Sequence, residues 1–134
     1  MPVSTLSHPR LDAASPRLDR ERRSLPDGAL TTVHVGRFDR KAFALSVVPL
    51  DPCSTLVEWC TAAGAGHAIV GGFYMRPGGP PLGDLWVDGK ALPSTPFDSP
   101  WDRCRACVHA DAGTVALVAR EEIEGPPRGD LLQA

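Results

Sequence analysis

The sequence predicts an α+β domain built on a mixed or antiparallel β-sheet with one main helix. Three observations carry that prediction. Fourteen prolines and thirteen glycines in 134 residues interrupt the chain too often for long helices. Several short runs alternate apolar and polar residues, the period of a half-buried strand. One stretch, "DPCSTLVEWCTAAG", instead carries helix boundary signals at both ends. With 43% hydrophobic and 22% charged residues, the chain has the material for a folded core, and its length suits one domain.

Residues 1–26 read as a loosely ordered N-terminal extension, and residues 27–134 as the folded part. "PRLD" occurs at Pro9–Asp12 and again at Pro16–Asp19, followed by the charged string "RERR". Too few apolar residues stand there to offset the entropy of ordering, although a short helix around Leu18–Arg23 is compatible with the composition. "LTTVHVGRF" is rich in β-branched residues and reads as a strand, with "DRK" turning into a second strand, "AFALSVVPL". The helix follows, with Asp51 or Ser54 as N-cap and Gly64 as its stop; Leu56, Val57 and Cys60 form its buried stripe. "HAIVGGFY" reads as a third strand. "GDLWVDGKAL" reads as a hairpin turning at Asp88-Gly89, and "RCRACVHADAGTVALVAR" as another turning at "DAG". After the loop "GPPRG", "DLLQA" opens a new element that stops while still apolar, so the domain reads as incomplete.

A formal charge of −2 leaves no broad basic surface, so neither nucleic acid nor an anionic membrane is the expected partner. No apolar run approaches the ~20 residues of a membrane-spanning helix, and the first residues lack a secretory signal. The cytoplasm is the expected compartment, and the four cysteines fit it as reduced thiols. Cys104 and Cys107 have C-x-x-C spacing but read as part of a strand, where such positions face opposite sides; Cys53 and Cys60 stand two helical turns apart. No metal is expected, and the cofactor is left open. His34, His67 and His109 lie in or beside strands and read as structural.

The stretch richest in chemistry runs from His67 to Lys90. Gly71 and Gly72 end an apolar run, where missing side chains let a ligand approach the backbone or let the chain form a bulge. Phe73 and Tyr74 offer flat faces, and Arg76 a planar cation suited to phosphate. Asp84 is placed to face a cleft, whereas Asp88 is engaged by its turn; Trp101 reads as a core anchor or the wall of a sugar subsite. The glycines fit neither a P-loop nor a dinucleotide fingerprint.

Taken in order, "AIVGGFY…GPPLGDLWVDGKAL" resembles the phosphodiester glycosidase domain family, that of the mannose 6-phosphate uncovering enzyme and many bacterial relatives. The matching positions are Gly71, Gly72, Phe73 and Tyr74, then Pro81, Leu82 and Gly83, then Asp88, Gly89 and Lys90. Asp111–Gly113 and Leu131–Ala134 follow. Val70 stands where the family pattern has Asn, and the family's Arg-Thr-Ala and Asp-Gly-Gly-Gly-Ser segments would lie beyond Ala134. The resemblance therefore implies the N-terminal part of a bacterial hydrolase cleaving a sugar–phosphate linkage in a glycosyl phosphodiester, inactive as this piece. Gly71, Gly72, Phe73, Tyr74 and Gln133 would contact substrate, Arg76 is added from its own chemistry as a phosphate ligand, and the catalytic groups are not assigned within this chain. Such a piece would need a complementing C-terminal segment or self-association. The competing expectation is a non-catalytic β-rich module that binds a glycan or a protein.

Overall fold

The computed structural model describes residues 15–134, which fall into two compact units, one ending at Ala44 and one running from Leu45 to Ala134. The first copy of "PRLD" lies outside the described residues.

In the first unit, β1 (Arg17–Ser24) pairs antiparallel with β2 (Leu30–Arg37), Arg17 opposite Arg37 and Ser24 opposite Leu30. The second "PRLD" and its charged string are thus largely strand rather than a loose extension or a short helix. Two local causes explain this. Leu25-Pro26-Asp27-Gly28 closes a turn, with Gly28 N–H donating to Leu25 O at 2.9 Å and Gly28 at φ 83°. Asp19 then accepts from Arg17 beside it and from Arg37 across the ladder, and Glu21 accepts from Arg23, so three of the ribbon's five arginines meet a carboxylate. The strand expected over "AFALSVVPL" is absent; that segment is irregular.

In the second unit, α1 (Leu56–Ala63) starts one residue later than the nearer of the two expected caps. Thr55 is the N-cap: its hydroxyl accepts from Glu58 N–H, and the Glu58 carboxylate accepts from Thr55 N–H at 2.9 Å. The backbone donor and then the Thr55 hydroxyl hold the Glu58 carboxyl below its ordinary range. Gly64, at φ 65°, ends the helix as expected. The expected stripe is not buried, and Val57 is 76% exposed. Of the third strand, only β3 (Phe73–Tyr74) forms, pairing with β4 (Pro81–Leu82); Ile69 and Val70 stand in solvent.

The main sheet is antiparallel. It comprises β5 (Leu85–Val87), β6 (Lys90–Ala91), β7 (Ala106–Asp111), β8 (Thr114–Ala119) and β9 (Asp130–Gln133) in the order β6-β5-β9-β7-β8. Both hairpins turn where the sequence indicates, through Asp88-Gly89 and Ala112-Gly113, each pair at positive φ. Cys104, expected in a strand, instead ends the short α2 (Trp101–Cys104). The fold is accordingly α+β, with an antiparallel sheet and one main helix.

β9 occupies the centre, and the core gathers around it. Leu131 and Cys107 are fully buried, with Leu85 and Ala110 nearly so. Pairing of Leu85 with Leu132, and of Cys107 with Gln133, places Asp84, Trp86, Cys107, Leu131 and Gln133 on one face; Leu85, Leu132 and Asp130 take the other. Gly129 makes the entry to β9 possible: at φ 67°, an added Cβ would lie 2.2 Å from the Ala110 carbonyl oxygen. Just after it, the buried Asp130 carboxylate accepts from Asp88 N–H and from Val47 N–H, each at 2.8 Å.

Candidate functional site

On the Gln133 face lies an open depression of about 360 Å³. Asp84, Asp102, Arg103, Arg120, Glu121 and Gln133 supply its polar lining. Strand register brings them together: Asp84 immediately precedes β5, Gln133 ends β9 beside it, and Arg120 follows β8 in a 3-10 turn.

Gln133 is 2% exposed and uses both ends of its amide. Its Oε1 accepts from Asp84 N–H at 3.1 Å, and its Nε2 donates to Asp102 O at 2.9 Å. Asp84 is divided similarly. Trp86 Nε1 donates to Oδ1 at 2.8 Å, and Arg120 Nε to Oδ2 at 2.7 Å. Both charged partners keep partial exposure, 23% for Arg120 and 31% for Asp84, so the pair forms part of the floor of the depression. Arg120 Nη1 also donates to Ile123 O. Arg103 is exposed at the rim, and Asp102 Oδ1 is buried without a hydrogen-bond partner among the described residues. A buried acceptor of this kind carries a desolvation cost that an incoming donor would relieve.

The Cys107 thiol lies beneath this floor. Burial pushes it up from 9.0 to about 11, with Arg120 opposing the rise and Asp84 adding to it. The thiol stays protonated and inert at neutral pH. The unfolded chain begins to lose this proton near 9.0 and the folded chain only near 11, so stability falls with rising pH between those values. Iodoacetamide at pH 8 is therefore expected to label the exposed Cys53 and Cys104 while sparing Cys107, as read by peptide mass spectrometry.

Of the substrate-contact residues expected from the sequence, Gln133 reaches this depression; Gly71, Gly72, Phe73, Tyr74 and Arg76 do not line it. The glycine doublet has a packing role instead. An added Cβ at Gly71 would lie 2.5 Å from Leu132 Cδ2, and one at Gly72 3.4 Å from Leu132 Cδ1. Neither glycine has positive φ. Leu132 and Gln133 are consecutive in β9, so the doublet covers the sheet face opposite the depression. Gly71→Ala is expected to destabilise the fold by about 1–2 kcal/mol, a cost that largely vanishes in a Leu132→Ala background. Chemical denaturation of the four-member cycle reads that coupling.

Phe73 and Tyr74 are exposed, and Arg76 folds its stem back over Gly79. Asp84 faces the depression and Asp88 sits in its turn, as the sequence implies. His109 Nε2 lies 2.7 Å from Arg128 O, the satisfied arrangement expected of a structural histidine. Trp101 is 57% exposed and opens α2, whose next two residues reach the rim. Arg120, Asp102, Arg103 and Glu121 were not singled out by sequence. The abrupt change from "TVALVA" to "REE" is the local signal that a strand ends there in charge. Among the described residues, no group of three or more His, Cys, Asp or Glu is placed to hold a metal ion. Comparison with family models, curated proteins and solved structures finds no match. The class that fold and site define is an α+β domain with a polar depression at one end of an antiparallel sheet.

Proposed function

We propose that this chain is a cytoplasmic, bacterial phosphodiester glycosidase-like protein whose ligand is a glycosyl phosphodiester held in the Asp84–Arg120–Gln133 depression. One observation carries the reading. Two stretches that bear the resemblance, Gly71–Tyr74 and Leu131–Ala134, meet through Leu132 on the sheet face opposite the depression, and Gln133, next in β9, lines the depression itself. Part of the lining suits such a ligand, although Asp84, Asp102 and Glu121 outnumber its two arginines. Arg103 and Arg120 are the cations a phosphodiester anion would meet there, Arg120 already paired with Asp84, and Ser94 and Glu121 supply groups for sugar hydroxyls.

Within this chain, Asp84 holds Arg120 in place through Oδ2 and takes the Trp86 indole N–H through Oδ1. On this reading the chain by itself binds the diester without cleaving it. In a calorimetric titration with a methyl sugar-1-phosphodiester, binding should saturate, weaken at least tenfold in Arg103→Ala, and leave the diester intact. Absence of binding would remove the proposal, and turnover would contradict binding without cleavage. Neither nucleic acid nor a membrane enters the scheme, and no helix among the described residues is long and apolar enough to cross a membrane.

The engaged state of Asp84 also favours the second reading, a non-catalytic module that binds a glycan or a protein. A phosphate-free glycan binding as tightly as the diester would select it.

A further inference from the structure

β8 is an edge strand, hydrogen-bonded to β7 on one side and to no other strand among the described residues. Ladder parity identifies which of its backbone groups are open. The two-residue turn at Ala112-Gly113 makes Asp111 and Thr114 a hydrogen-bonded pair, so Thr114, Ala116 and Val118 direct their N–H and C=O groups toward β7. Arg120 N–H donating to Arg105 O continues the same parity. The backbone groups of Val115, Leu117 and Ala119 then point away from the sheet. Ala119 N–H is taken by the Glu122 carboxylate at 2.9 Å, which closes that end. Val115 and Leu117 are left with two donors and two acceptors facing outward.

This edge lacks the usual protection. Thr114–Ala119 holds no charge, no proline and no bulge, and Leu117 is 74% and Val115 41% exposed. Its geometry is also self-complementary. In an antiparallel pairing about a two-fold axis through Ala116, Val115 lies opposite the partner's Leu117, and Leu117 opposite the partner's Val115. All four open groups on each copy then find partners. The apolar side chains of Val115 and Leu117 fall on one face and cover each other across the junction, and the axis carries only the small Ala116. A second copy pairs all four groups and at the same time covers Val115 with Leu117 and Leu117 with Val115.

We propose that β8 is the interface of a homodimer, in which two copies of this chain join their sheets edge to edge in that register. Sedimentation equilibrium over a concentration series should show a monomer–dimer equilibrium. Leu117→Pro removes an outward N–H and no bond to β7, and should be monomeric throughout with an unchanged circular dichroism spectrum. In a background where Cys53, Cys60 and Cys104 are replaced by Ser, Ala116→Cys should form an intermolecular disulfide on mild oxidation, and Ala112→Cys should not. A wild-type chain that stays monomeric, a folded Leu117→Pro that dimerises normally, or an Ala116→Cys chain that fails to cross-link would each overturn the proposal. Should Leu117→Pro unfold, the cross-linking result decides alone.

Discussion

Asp130→Ala is expected to lower the stability of the second unit by about 3 kcal/mol. Asp130 is 7% exposed, and each carboxylate oxygen accepts one backbone N–H, from Asp88 in the β5–β6 turn and from Val47 in the irregular segment before α1. Truncation leaves both amides without their acceptor in a part-buried setting, and orphaned donors cost about 1–3 kcal/mol each. Asp130→Asn keeps one acceptor and turns an NH2 toward the other amide, so it should fall between the two. Urea unfolding reads the order wild type, Asn, Ala. Faster hydrogen exchange at Val47 and Asp88 in Asp130→Ala would assign the loss to these two bonds.

Gly83→Ala is expected to be comparably damaging, by about 3–4 kcal/mol, for a different reason. Gly83 has φ 91°, a conformation L side chains rarely adopt, and an added Cβ would lie 2.5 Å from the Gln133 carbonyl oxygen and 2.8 Å from Phe97. The nearest of these atoms is backbone in the central strand, so relief requires β9 itself to move. Because Asp84 and Gln133 face each other one residue beyond, the substitution should also enlarge the floor of the depression. Its signature is lost stability together with new access of iodoacetamide to Cys107. A stability loss with Cys107 still protected would confine the damage to the Gly83 turn.

What was legible in the sequence was mostly local. Asp88-Gly89 and Ala112-Gly113 turn because of their own backbone preferences, and Gly64 ends α1 for the same reason. The strand at Arg17–Ser24 was hidden because hydrophobic pattern is a poor guide to a ribbon of mostly charged residues; the Pro-Asp-Gly turn at 26–28 was the signal to weigh. "AFALSVVPL" misleads in the opposite direction. Its residues have strand composition, yet it forms no strand, and its Val47 N–H is held by Asp130. At the site, Asp84 and Gln133 each drew notice separately. Arg120 did not, because its meeting with Asp84 spans 36 residues, and that of Gln133 with Asp84 spans 49. Register across β5, β9, β7 and β8 makes that cluster, and no short motif encodes it.

The most direct test of the functional account is amide NMR of the full chain titrated with a methyl sugar-1-phosphodiester. Saturable shifts at Asp102, Arg103, Arg120, Glu121 and Gln133, with Phe73–Arg76 unmoved, are the predicted result. Shifts confined to Phe73–Arg76, or none at saturating diester, would contradict it.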